Sequence, residues 1–382
     1  MIYLNNAATS FPKPERVNKA VIEYLGSAPF HCLRTGHIGK EDDTIDSCRR
    51  KIAQFFNISG PENIIFTSGA TESLNLVIRG LDLSGGHVVT TCIEHNSVLR
   101  PLKKLEKKGQ IELSIVGCDK SGHVCPKDIS DAIRKNTRAV IVNHCSNVTG
   151  HITDIDALSE ICHKKNILFI VDASQSAGCV PIDVGRTEID ILVFTGHKSL
   201  YGLPGTGGLY LRPGIAVEPL KVGGTGIKSE LEYQPEDVPL LYEAGTPNVP
   251  GIVSMRAGVD FILKTGMDKI NDKKQAHINR IINAFKKEPS IEIYGGTSSE
   301  EDVSILCFNI SGVPSEKAGD IFENSFGIVL RSGLHCAPLA HKALGTYPDG
   351  ALRVSPSFFT ADEEIEKFIY AALEILRANI SS

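Results

Sequence analysis

Nowhere does the 382-residue sequence approach the ~18 consecutive apolar residues that span a bilayer, so no membrane-crossing helix is expected. Its ten cysteines include no C-x-x-C pair, and the close couples that usually ligate structural zinc are therefore missing. No metal site is expected, and the thiols should be free, most of them acting as small buried hydrophobes. A basic surplus is also lacking: 40 Lys and Arg against 45 Asp and Glu leave a net charge of −5, which gives no grip on nucleic acid. No fixed-period repeat or low-complexity tract appears. The opening residues, M-I-Y-L-N-N-A-A, carry neither a basic patch nor a long apolar run, and a cytoplasmic protein is expected.

What is present is an ordinary soluble balance, with 42% hydrophobic and 22% charged residues, in a chain long enough for more than one core. Short β-rich runs at 64–67, 87–91, 112–116, 139–143, 168–171, 191–194 and 208–211 alternate with helical patterns. That order predicts an α/β fold, a mainly parallel seven-stranded sheet wrapped by helices. Runs such as A-V-I-V and I-L-F-I-V are apolar throughout, as strands covered on both faces should be. A helix is expected over 154–165, where Ile155, Leu158, Ile161 and Cys162 share one face. From about residue 215 the chain turns polar and rich in Gly and Pro, which reads as a long excursion without regular structure. Helical patterns return at 250–264 and 268–287, followed by strand, strand, helix and strand between 291 and 330 and a closing helix over 361–378. The expected organisation is a large domain, 15–255, and a smaller α+β domain made of 1–14 and 256–382.

The chemistry gathers at strand ends. V-D-A-S-Q and F-T-G-H-K-S each follow an apolar strand, so Asp172 and Lys198 emerge at the carboxyl edge of the sheet, where open α/β folds bind ligands. Lys198 in such a place is a solvated residue, a point charge for phosphate, or a Schiff-base amine. Asp172 favours the last, because pyridoxal phosphate needs a carboxylate against its pyridine nitrogen. The run I-I-F-T-S-G-A-T-E-S-L-N passes from a strand through Gly69 to a helix beginning near Thr71. It is either an ordinary helix start capped by Ser68 or Thr71, or an anion cradle of backbone N–H groups. No stretch has the spacing of a nucleotide P-loop, and no G-x-G-x-x-G follows the first strand.

Eight segments, in order, carry a more specific likeness: Y-L-N-N-A-A-T-S, T-S-G-A-T-E-S-L-N, E-H-N-S, H-C-S-N-V-T-G, V-D-A-S-Q-S, T-G-H-K, E-A-G-T-P-N and R-S-G-L-H-C-A. Over nearly its whole length the chain resembles the cysteine desulfurase and selenocysteine lyase family, in the class V aminotransferase group of fold-type-I pyridoxal-phosphate enzymes. The resemblance implies a cofactor held as a Schiff base on Lys198, Asp172 on its pyridine nitrogen, Gln175 near its ring hydroxyl and His95 stacked on the ring. It implies phosphate contacts from Ala70, Thr71, Thr195 and His197, and one from Thr246 across a homodimer interface. Asn147 is implied on the cofactor and substrate, and Arg353, with Arg331 nearby, on the substrate. On residue type alone, His95 also reads as a core histidine and Arg353 as a salt-bridged strand residue. Asn5 and Thr195 depart from the family, where Asp and Ser are common, and residues 224–243 match no part of its pattern.

Cys336 decides the reaction. It follows an apolar strand amid Arg331 and His335, whose positive charge is expected to favour its thiolate. In the family this cysteine takes sulfur from a cofactor-bound cysteine as a persulfide and leaves alanine, with Lys198 as general base and His95 as a proton donor. The expected substrate is L-cysteine or L-selenocysteine, and the expected partner a sulfur-acceptor protein. Two other readings stay open: a different reaction of the same fold, such as transamination, racemisation or another C–S cleavage with Cys336 incidental, and a non-catalytic scaffold.

Overall fold

The computed structural model of the protein describes residues 1–27, 44–295 and 303–380. All seven expected strands form, and they share one sheet: β2 (Ile64–Thr67), β3 (Gly86–Thr91), β4 (Ile111–Val116), β5 (Thr137–Asn143), β6 (Leu168–Asp172), β7 (Ile191–Thr195) and β8 (Gly207–Leu211). Their order is β2-β8-β7-β6-β5-β3-β4, with β8 antiparallel to both of its neighbours and the rest parallel.

The all-apolar strands are explained by cover on both faces. Along β5, Val140 and Val142 enter one apolar cluster while Ala139 and Ile141 enter another, as the two-residue period of a strand dictates. The helices Ala70–Gly80 and Asn96–Lys107 lie against one face, and Ile155–Lys164 against the other. In Ile155–Lys164 the expected apolar stripe is buried through Ile155, Leu158 and Cys162. The chain runs from β3 outward to β4 and then returns to the other side of β3 as β5. A crevice therefore opens beyond the carboxyl ends of β3 and β5, the usual position for a ligand in an open α/β sheet.

Residues 212–248, between β8 and the helix Val249–Thr265, hold no strand or helix, as the composition predicted. Beyond them, β9 (Ile291–Tyr294), β10 (Leu306–Ile310) and β12 (Leu352–Val354) make a small antiparallel sheet. The helices Met267–Phe285, Ser315–Phe326 and Asp362–Ile380 cover it through a cluster that includes Leu4, Phe285, Phe308, Phe322 and Phe368. One pairing was not foreseen: β1 (Ile2–Tyr3) lies parallel to β11 (Ile328–Val329). Two-residue strands carry no periodicity, and their partners stand more than three hundred residues apart. Among the described residues no helix is long and apolar enough to cross a membrane.

Candidate functional site

A cavity of about 340 Å³ lies at the carboxyl edge of the large sheet. Eleven of the expected site residues line it: Ala70, Thr71, His95, Asn147, Asp172 and Gln175 from the first half of the sheet, and Thr195, His197, Lys198, Arg331 and Arg353 from later elements. Its volume suits a compact ligand.

Lys198 and Asp172 face this space together. Burial pushes the Lys198 amine down to about 8; Arg353 and Arg331 push in the same direction, and Asp172 opposes them. Asp172, 3% exposed at the end of β6, accepts from the Ser174 backbone N–H at 2.9 Å and from its hydroxyl. Gln175 Nε2 donates to the Ala7 carbonyl at 3.0 Å, which leaves the amide oxygen turned from that bond. His95 caps the helix Asn96–Lys107: its Nδ1 accepts from the Ser97 N–H at 3.1 Å, so the neutral ring carries its proton on Nε2. Burial and the charge of Lys198 lower its pKa to about 4. The same two causes, in the same order, bring His197 to about 4, and its buried Nδ1 has no partner among the described residues.

The helix start differs from its simplest expectation. The helix begins at Ala70 with Gly69 as N-cap, and neither Ser68 nor Thr71 caps it. Glu72 instead accepts from the Ser68 N–H at 2.7 Å, outside the helix. The first helical N–H groups are left for an occupant of the cavity. Gly69 has φ +149, and a Cβ on Gly207 would lie 2.8 Å from the Gly69 Cα, so glycine is needed at both positions to bring this turn against β8.

Arg353 is 1% exposed on β12 and donates to the Asn147 carbonyl at 2.8 Å and to Asn5 Oδ1 at 3.3 Å. Its Nε and the Asn147 Oδ1 are buried without partners among the described residues. The departure at Asn5 is thus a direct contact of the guanidinium. Asn147 Nδ2 donates to the His335 carbonyl at 2.7 Å, which ties the cavity to the loop of Cys336.

His335 and Cys336 are consecutive left-handed residues, with φ 47 and 58, at a cost of about 1–2 kcal/mol each. Arg331 Nη2 donates to Cys336 Sγ at 3.2 Å. The expectation that His335 adds positive charge is overturned: burial and then Arg353 hold it well below its ordinary pKa, and its ring bonds to His341 instead. The favourable charge on Cys336 comes from Arg331 alone of the two. Cys336 does not line the first cavity but an adjoining one of about 380 Å³, which shares Thr71, His95 and Ser97 with it.

Thr246 is exposed and lines neither cavity of its own chain. Three other residues escaped sequence reasoning because long-range contacts define them. Glu94 is buried beside Asp172, accepts from Thr91 Oγ1 and the Asn143 N–H, and is raised by burial to about 8. Lys13 bonds to the His197 carbonyl. Glu243, at the start of E-A-G-T-P-N, forms a two-bonded pair with buried Arg49 at 2.7 and 2.9 Å and accepts the Phe66 N–H. That pair pins the segment leading to Thr246. The nine described cysteines are all free; Cys32 lies outside the described residues.

A family model described as Aminotransferase class-V matches residues 2–368. The chain is 33% identical to a probable cysteine desulfurase of Methanothermobacter thermautotrophicus, over 96% of this chain and 92% of the relative. It is 32% identical to a probable cysteine desulfurase of Pyrococcus abyssi, over 100% of this chain and 96% of that one. The solved apo structure of a cysteine desulfurase from Thermococcus onnurineus NA1 superposes with a TM-score of 0.88 at 30% identity, covering 99% of this chain and 95% of that one. A mostly parallel sheet, a cavity at its carboxyl edge and a match that runs nearly end to end agree, and the chain belongs to the class-V aminotransferase family, where it groups with proteins named cysteine desulfurase.

Proposed function

We propose that the protein is a pyridoxal-phosphate-dependent cysteine desulfurase that converts L-cysteine, or L-selenocysteine, to L-alanine and a persulfide on Cys336. One observation carries the reading: Cys336 Sγ sits 3.2 Å from the guanidinium of Arg331, which also lines the cavity where Lys198 and Asp172 meet.

The donor set fits the cofactor. A depressed amine, a buried carboxylate, an uncapped helix start and an unpartnered His197 Nδ1 match in turn an aldehyde, a pyridine nitrogen and a phosphate. Asp172 would hold the pyridine nitrogen, Gln175 the ring hydroxyl, and His95 the ring face. Ala70, Thr71, Thr195 and His197 would hold the phosphate, with Asn147 beside the ring. When bound, pyridoxal phosphate supplies an electron sink that labilises the substrate's Cα–H and then its Cβ–S bond.

The chain's own groups do the rest. Arg353 binds the substrate carboxylate, and its unpartnered Nε is a spare donor for that purpose. Lys198 Nζ, neutral above about pH 8, takes the α proton. Neutral His95 offers its Nε2–H to the departing group. Cys336 thiolate attacks the substrate sulfur: the S–S bond forms, the Cβ–S bond breaks, and its electron pair stays on the three-carbon fragment, which is protonated and leaves as alanine. No outside oxidant or reductant is needed.

The same reading includes a homodimer in which Thr246 reaches the partner's phosphate, a sulfur-acceptor protein that discharges Cys336, and a cytoplasmic setting. It also includes the division into 15–255 and 1–14 with 256–382, which the separate apolar cluster around Leu4, Phe308 and Phe368 supports. Cys336→Ala tests it: alanine release from cysteine should fall by about a hundredfold or more while cofactor absorbance persists. Parental alanine release by that variant would sink the reading.

A further inference from the structure

Behind Cys336 runs a chain of side chains that the proposed reaction does not use. His335 Nε2 approaches the Arg331 carbonyl at 3.4 Å, and a carbonyl only accepts, so Nε2 carries the proton of this neutral ring. His335 Nδ1 is then an acceptor, and His341 Nε2 donates to it at 3.1 Å. His341 Nδ1 in turn accepts from the Thr346 hydroxyl at 2.7 Å. Both rings are buried and tilted against each other with centroids 5.1 Å apart. Burial depresses both imidazoles, His341 to about 4, so near neutral pH this single proton order persists. A second proton on His335 would sit on Nδ1 and set two N–H groups against each other.

This chain has something to hold. His335 and Cys336 occupy the left-handed region in succession, which residues with a Cβ adopt only where their surroundings impose it. The backbone ties are the His335 carbonyl on Asn147 Nδ2 and the Cys336 carbonyl on the Asn96 N–H. Both lie on the cavity side. On the opposite side the imidazole of His335 has the ring of His341, with Cys307 Sγ at 3.9 Å.

We propose that His341, backed by Thr346, is a positioning residue for Cys336: it fixes His335 and thereby the left-handed turn that sets Sγ against Arg331. The inference adds a role to the proposed sulfur chemistry and rests on that reading for its purpose, though not for its geometry. The titratable and charged groups that face Cys336 are Arg331, Arg353 and, across the second cavity, His95, Arg79, Arg100, Lys104 and Lys108. Slackening the turn moves Sγ away from Arg331 first.

The test is made on the holoenzyme with His341→Leu, His341→Gln and Thr346→Val. The time course of Cys336 alkylation by iodoacetamide is followed by mass spectrometry at one fixed pH, beside single-turnover persulfide formation, the KM for cysteine and cofactor absorbance. In His341→Leu the rate of Cys336 alkylation should fall about tenfold as Sγ leaves the Arg331 guanidinium. Persulfide formation should slow about tenfold, with KM and absorbance unchanged. His341→Gln, which keeps a donor, should recover most of both effects, and Thr346→Val should move them less and in the same direction. A parental alkylation profile in His341→Leu overturns the proposal; if that variant does not fold, a parental profile in Thr346→Val does. Alkylation needs no turnover, so a failed desulfurase reading would show in Cys336→Ala while leaving this readout intact.

Discussion

Lys13 Nζ donates to the carbonyl oxygen of His197 at 2.9 Å, one peptide bond ahead of Lys198. The same oxygen accepts from the Ser10 N–H at 3.0 Å and from the hydroxyls of Ser10 and Thr9 at 3.1 Å each. Four donors share an atom with two lone pairs, so the peptide entering Lys198 is tied to the N-terminal segment. Lys13→Met removes a charged donor and should destabilise the protein by about 1.5–3 kcal/mol. Calorimetry reads the stability, and the rate at which cofactor-free protein recovers its visible absorbance reads the placement of Lys198. Lys13→Arg should restore part of both. If Lys13→Met matches the parent in both measurements, the clamp is incidental.

Why Lys13 escaped the sequence, when Lys198 did not, is a matter of range. The seven strands announced themselves through local apolar runs, and Asp172 and Lys198 stand at the ends of two of them. Their convergence followed from the rule that ligands bind at the carboxyl edge of such sheets. Cys336 was legible through the R-S-G-L-H-C-A segment. By contrast, His341 and Glu94 act through partners that no spacing encodes, and β1 is too short to carry a period. His335 was misjudged because its charge depends on burial, which a histidine's neighbours in sequence do not reveal.

A second prediction concerns the Lys198 amine. It sits near 8 because burial, Arg353 and Arg331 outweigh Asp172, so below that pH it is an ammonium and above it a nucleophile. Reductive methylation of cofactor-free protein, followed at Lys198 by mass spectrometry, should rise through about pH 8. Surface lysines should rise about two units higher. Asp172→Asn removes a carboxylate that favours the ammonium and should move the Lys198 midpoint to lower pH. A midpoint that rose or stayed in this variant would mean that the two groups do not interact.

Arg353 offers a separation of binding from chemistry. Its two bonds to Asn147 and Asn5 fix the guanidinium plane, and Nε remains for a ligand. Lysine at this position keeps the charge and loses the planar fork. Arg353→Lys should therefore raise KM for cysteine by about tenfold or more, the worth of a lost charge-assisted hydrogen bond, with a smaller change in kcat. Steady-state kinetics on folded, cofactor-loaded variant would show it. Equal loss in kcat with KM unchanged would place Arg353 in the chemical step instead.

The position of Thr246 makes the dimer testable without a structure of the dimer. In its own chain Thr246 is exposed and outside both cavities, although the Arg49–Glu243 pair holds the segment that carries it. If it serves the partner's cofactor, Thr246→Val should weaken cofactor binding up to about tenfold, the worth of one hydrogen bond. Lys198→Ala should abolish covalent attachment. Mixed after subunit exchange, the two variants would assemble a heterodimer in which one site combines an intact Lys198 with an intact Thr246 from the other chain. Cofactor titration should then reveal a fraction of sites with parental affinity that neither variant has alone. If Thr246 acted within its own chain, exchange would restore nothing, and the mixture would show only the separate affinities of the two variants.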